Sequence, residues 1–169
     1  MRSDWVSIEN MDHVLAALMP ANRLAIQLSM ATGLRIGDVL SITREQMAKG
    51  RFTVTEQKTG KKRRVRVPVK LQRQCLTQAG KYLVFPGRLD ETRPRSRQAV
   101  YKDVIRASVA FRLEAHVSPH TARKIYAVNQ FDKKGLDAVQ RDLGHSSREI
   151  TMIYAMAREI TMRKLSGKK

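Results

Sequence analysis

The chain has 169 residues, 42% of them apolar, which suits one domain with its own packed core. Its 33 lysines and arginines against 15 acids give a net charge of +18, which favours DNA or RNA as partner over an anionic membrane surface. A single cysteine, Cys75, excludes an internal disulfide and a cysteine metal cluster, and without a long apolar run or a signal-peptide core we expect a cytoplasmic protein with no membrane contact.

Helical periodicity dominates the first 42 residues. Apolar spacing predicts a helix over residues 7–19 and a second over 22–32, which Gly33 is well placed to end. A short third helix is predicted over 36–42, directly after Arg35. Arg35 follows a helix rich in aliphatic side chains, so we expect its charge to reach either a partner residue or a surface cleft.

Between residues 51 and 69 the apolar period changes from helical to alternating, which predicts an antiparallel β-hairpin with its turn at 58–61. The second strand is predicted to extend to Val69. The segment from Arg51 to Arg73 holds nine lysines or arginines and one acid, Glu56. Lysines can simply protect a sheet edge from aggregation, but so many like charges are better explained by a bound polyanion. The candidate contacts are Lys61, Lys62, Arg63, Arg64 and Arg66.

The second half of the chain is predicted to be helical. Helices are expected over 71–79 and 97–111, separated by an exposed, arginine-rich loop. Ser118 followed by Pro119 is a strong helix start, and the helix that it opens should end at Gly135. The sequence therefore predicts a mainly α domain with a small antiparallel hairpin, an α+β fold.

The end of the chain carries one more candidate for chemistry. A helix over 136–143 is stopped by Gly144, and Ser146 or Ser147 caps a further helix that holds Tyr154. The tail beyond residue 157 is expected either as a basic amphipathic helix or as a loose segment.

Two arginines and two histidines suit chemistry on a phosphodiester. His120 and Arg123 lie three residues apart and share one helix face. A guanidinium matches two phosphate oxygens, so Arg35 and Arg123 together could neutralise the charge that grows in a pentacoordinate transition state. We expect Asp38, three residues after Arg35, to hold that arginine, although the two could equally form a surface pair of little energetic value.

Tyrosine needs help to act as a nucleophile, because its pKa is about 10. His120 and His145 could supply hydrogen bonds or accept its proton, and Lys58 at the hairpin turn could protonate a leaving oxygen. Taken singly, each of these residues is more often structural, and we interpret Tyr82, Tyr101 and Tyr126 in that way. Only the joint pattern around Tyr154 favours catalysis.

The order Arg, Lys, His-x-x-Arg, His, Tyr resembles the catalytic domain of the tyrosine recombinases, the phage integrase family. Residues 31–40 resemble the first box of the family, and 56–61 resemble its hairpin with the mobile lysine. Residues 119–123 and 143–147 resemble the second box and its continuation. Ala122 departs from the leucine of many relatives, which changes packing and leaves the chemistry intact. On this resemblance the catalytic positions are Arg35, Lys58, His120, Arg123, His145 and Tyr154, with Asp38 as the acidic companion.

The resemblance implies a mechanism. Tyr154 attacks a scissile phosphate, forming a 3′-phosphotyrosyl link and freeing a 5′-hydroxyl, while Arg35 and Arg123 hold the non-bridging oxygens. The covalent link conserves the bond energy, so no nucleotide cofactor and no metal is expected. The remaining implied roles are general base or hydrogen-bond donor for His120, further donor for His145 and general acid for Lys58.

The resemblance also implies partners. Relatives work as tetramers on two DNA sites and exchange a C-terminal segment, so we expect a free monomer and a homotetramer on double-stranded DNA. Residues 157–169 are the candidate exchange segment and should be loose in the monomer. We assign the whole chain, 1–169, to one catalytic domain with its core at 7–156. Relatives usually carry a DNA-clamping domain ahead of it, which we do not find, so we expect a fragment or a minimal member like the short fimbrial-switch recombinases.

Other functions stay open on sequence alone. A DNA-binding regulator could keep the fold without recombining DNA, although it has no need of Tyr154. A type IB topoisomerase uses the same chemical strategy without exchanging partners. A ribosomal or general RNA-binding protein would account for the charge and for nothing else.

Overall fold

The computed structural model describes residues 3–144 and 147–167. This part of the chain forms ten helices and one two-stranded antiparallel sheet, which confirms the predicted fold class. In chain order the elements are α1 (Ile8–Ala17), α2 (Pro20–Thr32), α3 (Ile36–Leu40), α4 (Arg44–Lys49), β1 (Arg51–Thr55), β2 (Lys62–Arg66), α5 (Val69–Gln78), α6 (Arg97–Ala110), α7 (Pro119–Lys134), α8 (Leu136–Leu143), α9 (Arg148–Ala155) and α10 (Ala157–Ser166).

Side-chain caps fix the helix starts where the sequence predicted them. Ser7 accepts a hydrogen bond from the N–H of Asn10, and Ser118 begins α7 with a reciprocal capping box to Thr121. Ser147 caps α9, one of the two alternatives that the sequence left open. Each cap satisfies a backbone N–H that has no partner inside the helix.

Two local predictions were wrong. Helix α4 was missed, although Thr43 and Gln46 form a capping box at its start. The second strand was predicted to reach Val69, but it ends at Arg66. Val69 instead opens α5, because Pro68 before it has no N–H to give to a sheet and a φ suited to a helix start.

The hairpin has one buried and one exposed face. Strand alternation buries Val54 and Val65, while the paired residues Thr53 and Arg64 lie on the exposed side. The turn that follows β1 lies next to the start of α3, since the N–H of Gln57 donates to Oδ1 of Asp38. The sheet thereby carries its turn to the cleft described below.

Two apolar clusters hold the helices together. The larger is aliphatic and includes Ile26 and Leu28 on α2, the helix that packs against α7. The smaller joins Tyr126 of α7 with Leu143 of α8, and Tyr154 packs against it. Tyr154 is thus held against the helix that carries His120 and Arg123.

Helix α10 is docked on its own chain. The N–H of Trp5 donates to Oγ1 of Thr161 at 3.0 Å, and Nζ of Lys164 pairs with Oδ2 of Asp4 at 2.6 Å. Ala157 and Thr161 are buried. Of the two alternatives for the tail, the structure has the helix, and the expectation of a loose tail in the monomer was wrong, because the N-terminal segment supplies contacts for the helix.

Among the described residues no helix combines the length and the apolar character that crossing a membrane requires.

Candidate active site

A sharp turn places Arg35 at the mouth of a cleft. Helix α2 ends at Gly33, whose φ of +68° is a conformation that costs glycine little, and Leu34 is fully buried next to it. The hydroxyl of Ser29 donates to the carbonyl of Leu34 at 2.7 Å and so fixes the turn. The Arg35 side chain keeps about a quarter of its surface exposed (24%) and faces the cleft.

Arg123 is buried where three elements meet. Its Nη1 donates to the carbonyl of Gly33 at 2.5 Å and its Nη2 to the carbonyl of Leu143 at 2.7 Å. The guanidinium therefore ties the end of α2 to the end of α8. Burial, then the charge of Arg35, lowers the pKa of Arg123 to about 10, so the group remains charged at neutral pH.

A carboxylate that the sequence analysis did not select lies between these arginines. Glu56 is 1% exposed, and its Oε2 accepts a hydrogen bond from Nη1 of Arg35 at 2.7 Å. Asp38, the residue predicted to hold Arg35, instead accepts the backbone N–H of Gln57 at 2.9 Å. That prediction was wrong in its partner, because Asp38 is buried within α3 and fixes the start of the hairpin turn. The contact of Asp38 thus acts on the segment that leads into Lys58.

His120 and Tyr154 meet across α7 and α9. The Tyr154 hydroxyl is in hydrogen-bond contact with Nε2 of His120, and the two rings pack edge to face with centroids 5.4 Å apart. The pKa of His120 is lowered to about 4 by partial removal from water and by the charges of Arg123, Lys124, Arg35 and Lys58. A neutral imidazole results, which can accept the tyrosine proton.

Tyr154 sits in a mixed environment. Burial raises its pKa above the ordinary value, while the nearby charges of Arg123 and Arg35 act in the opposite direction. The hydroxyl is therefore protonated in the free protein. It is also placed where positive charge would stabilise a developing phenolate.

The cleft itself has a volume of about 410 Å³. Four of the predicted catalytic residues line it, and so does one basic residue that the prediction omitted: Arg35, Lys58, His120, Arg123 and Arg97. Arg97 is the first residue of α6, beyond the arginine-rich loop, so neither its spacing nor a motif singled it out. The structure thus brings cationic groups from four separate segments to one cleft.

The predicted DNA contacts divide by strand alternation. Lys62, Arg64 and Arg66 lie on the exposed face of β2, and Lys61 is exposed at the turn, where its Nζ donates to the carbonyl of Gly144 at 3.2 Å. Arg63 points the other way. It donates to the carbonyl of Thr32, lies 6.0 Å from the centre of the Tyr126 ring and is 3.9 Å from Oε1 of Glu56.

Arg63 was therefore wrongly placed among the DNA contacts, since alternation turns every second strand residue inward. His145, one of the predicted catalytic residues, lies outside the described residues. Within the described ranges no cluster of three or more histidine, cysteine or acidic side chains could hold a metal ion.

Comparison with known families decides the assignment. The sequence model of the phage integrase family matches residues 5–159, which is most of the chain. The chain belongs to the phage integrase family. Membership confirms the resemblance and with it the prediction of a tyrosine-type site-specific recombinase.

Individual relatives agree with that assignment. The probable integrase/recombinase YoeC of Bacillus subtilis (strain 168) is 29% identical over 167 residues, covering 93% of this chain and 91% of YoeC. The catalytic domain of bacteriophage HP1 integrase superposes with a TM-score of 0.67 at 20% identity, covering 92% of this chain and 89% of that one.

A lambda integrase fragment, solved as a dimer bound to a COC′ core site, gives a TM-score of 0.79 at 21% identity. The match covers 94% of this chain and 61% of the fragment. The chain therefore spans less than two thirds of that relative, and this similarity establishes the catalytic-domain fold.

Proposed function

We propose that this domain cleaves and rejoins double-stranded DNA at specific sites through a 3′-phosphotyrosyl intermediate. The observation that carries the proposal is the contact of Tyr154 with His120 beside the arginine-lined cleft. A DNA-binding regulator would need the basic surface but would not need a tyrosine held against a neutral imidazole.

In the first step the phenolic oxygen of Tyr154 attacks phosphorus, and its proton passes to Nε2 of His120. The bond between phosphorus and the 5′-oxygen breaks. Lys58, on the exposed hairpin turn, lines the same cleft and donates the proton that the leaving 5′-oxygen needs. The 5′-hydroxyl of a partner strand later attacks the phosphotyrosyl link, releases Tyr154 and completes the exchange.

Arg35 and Arg123 supply electrostatic stabilisation. Both arginines line the cleft, Arg35 from the residue before α3 and Arg123 from α7, and they would hold the oxygens of the scissile phosphate. Fixed cations at the point where charge develops lower the barrier without reorganisation during the reaction. His145 would add a further hydrogen bond, as the family pattern implies.

The exposed basic groups serve binding. Lys61, Lys62, Arg64 and Arg66 would contact DNA phosphates along the duplex, and Arg97 would contact a phosphate at the cleft. We further propose a homotetramer as the recombining assembly, with α10 as the segment that protomers exchange. One of the solved relatives is a lambda integrase tetramer bound to a Holliday junction.

The test is covalent trapping on nicked duplexes drawn from the DNA that flanks the gene. A nick close to the scissile phosphate lets the freed end diffuse away and prevents religation. Wild-type protein should stay attached to DNA after denaturation, and Tyr154→Phe should not. Tyr101→Phe, at an exposed tyrosine of α6, is the matched control. Attachment that survives in Tyr154→Phe would refute the assignment of the nucleophile.

A further inference from the structure

Glu56 is a buried acid in the middle of a cationic site. Its Oε2 accepts from Arg35 at 2.7 Å, and its Oε1 lies 3.9 Å from Nη1 of Arg123 and 3.9 Å from Nη1 of Arg63. With 1% of its surface exposed, this carboxylate receives almost no help from water. Three guanidinium groups from three different elements thus face one carboxylate.

The charge balance explains why an acid is needed here. Arg35, Arg63 and Arg123 converge on Glu56, and neighbouring like charges repel strongly in a partly buried setting. Burial alone would raise the pKa of Glu56, but hydrogen bonds from Thr59 and Arg35 and the charges of Arg35 and Arg123 lower it. The carboxylate is therefore ionised at neutral pH.

Glu56 is also tied to the turn that carries Lys58. The hydroxyl of Thr59 donates to Oε2 of Glu56 at 2.8 Å, and the N–H of Gly60 donates to its backbone carbonyl at 2.8 Å. The N–H of Glu56 in turn donates to the carbonyl of Lys61 at 3.0 Å. One residue thus anchors both the arginines and the lysine turn.

We infer that Glu56 is a positioning residue, which holds Arg35 and Arg123 in their convergent geometry and couples them to the Lys58 turn. It does not face the cleft, so it acts on the reaction through the arginines. The inference rests on the proposed function. It predicts that loss of the Glu56 charge impairs the stabilisation of the phosphate more than it impairs the fold.

The test is Glu56→Gln, which keeps the size of the side chain and removes its charge. Single-turnover formation of the covalent complex is measured on a nicked duplex with an ordinary scissile phosphodiester. We expect a loss of about 10- to 100-fold, the order that a small misplacement of catalytic groups costs. Glu45→Gln, at an exposed acid of α4 paired with Lys49, is the control and should react like wild type.

A second substrate distinguishes misplacement of the arginines in Glu56→Gln from general damage to its fold. In a methylphosphonate at the scissile position, one charged oxygen is replaced by methyl, so the arginines have less charge to stabilise. If Glu56 positions the arginines, the defect of Glu56→Gln relative to wild type shrinks at least threefold on this substrate. An equal defect on both substrates would overturn the inference, as would a Glu56→Gln rate equal to wild type.

A third variant keeps the inference testable if Glu56→Gln does not fold. Thr59→Val removes one hydrogen bond to Glu56 at an exposed position of the turn. It should show a smaller defect with the same dependence on substrate, and an equal defect on both substrates would again overturn the inference. If wild-type protein forms no covalent complex on the phosphodiester, the proposed function itself fails, which is a distinct result.

Discussion

The hydroxyl of Tyr154 on α9 is in hydrogen-bond contact with Nε2 of His120 on α7. The contact depends on the small apolar cluster of α7 and α8, against which Tyr154 packs. The packing of α9 on α7 and α8 thus places the proposed nucleophile and base next to each other. Whether His120 can accept the tyrosine proton then depends on whether its imidazole is neutral.

The first prediction concerns the protonation state of His120. His120 should titrate in the free protein with a pKa of about 4, against an ordinary value of about 6.5, because partial burial and four nearby cations disfavour its charged form. NMR titration of the imidazole resonances measures this midpoint, and His120→Asn identifies the relevant signal.

The lowered pKa of His120 also determines how the stability of the fold changes with pH. Between about pH 6.5 and pH 4 the unfolded chain binds a proton at residue 120 that the folded chain does not, so His120 lowers stability as the solution is acidified. His120→Asn should therefore lose less stability than wild type across this window. A midpoint near 6.5 would show that burial and the neighbouring cations do not shift the pKa of His120.

A second prediction concerns Arg97, which lines the cleft from the start of α6. Arg97→Ala should weaken binding to duplex DNA roughly 10-fold and lower the salt slope of binding by about one, as expected for one lost phosphate contact. Fluorescence anisotropy over a series of salt concentrations measures both. Arg23→Ala, at an exposed arginine near the N-terminal end of α2, should change neither the affinity for DNA nor the salt slope. An unchanged salt slope for Arg97→Ala would exclude the contact.

Much of this architecture was predictable from local sequence. Ser118 followed by Pro119, and Gly33 and Gly144 after apolar runs, mark helix ends through caps and left-handed turns that depend on a few neighbouring residues. The order of the basic and histidine-containing motifs then carried the resemblance, and the family match confirmed it. Such signals need no knowledge of tertiary contacts.

The errors at the site have a common origin in long-range packing. Asp38 is close to Arg35 in sequence, yet Glu56, 21 residues away, is the acid that reaches Arg35. Arg63 resembles its basic neighbours on β2, and only its partners on α2 and α7 show that it is a structural residue. A local sequence pattern cannot predict which backbone carbonyl or aromatic ring, distant in the sequence, a given arginine will contact.

A third prediction tests the turn between α2 and α3. Gly33 has a φ of +68°, and a Cβ built on it would lie 2.5 Å from Cδ1 of Tyr126. Gly33→Ala should therefore cost about 2–4 kcal/mol of unfolding free energy, from left-handed strain and overpacking together. Urea denaturation measures this loss. Covalent-complex formation should also fall, because the carbonyl of Gly33 accepts from Arg123.

Gly60→Ala provides the control for backbone strain. Gly60 has a nearly identical φ of +66°, but a Cβ there would meet nothing within 4 Å. Its cost should be limited to about 1–2 kcal/mol. Equal losses for the two variants would show that the Tyr126 ring moves aside and that the turn is not tightly packed.

The last prediction concerns the docking of α10 on its own chain. Burial raises the pKa of Asp4, but hydrogen bonds from Lys164 and the N–H of His116, together with the charges of Lys164 and Lys124, lower it overall. The ion pair of Asp4 with Lys164 therefore contributes above the ordinary pKa of an aspartate and is lost as the pH falls through the lowered value. At neutral pH, Lys164→Ala should reduce the hydrogen-exchange protection of the α10 amides by about 2- to 5-fold, as expected for an ion pair whose lysine is partly exposed.

Thr161→Val should act through a different contact, since it removes the acceptor of the Trp5 N–H while keeping a buried side chain of similar shape. Its loss of protection should exceed that of Lys164→Ala, because a backbone donor is left without its partner. Lys102→Ala, at an exposed lysine of α6, should leave α10 protection unchanged. If the α10 amides of the free wild-type protein exchange as fast as an unfolded chain, the helix is not docked in the monomer. The proposed exchange between protomers would then begin from a free tail and would need no release step.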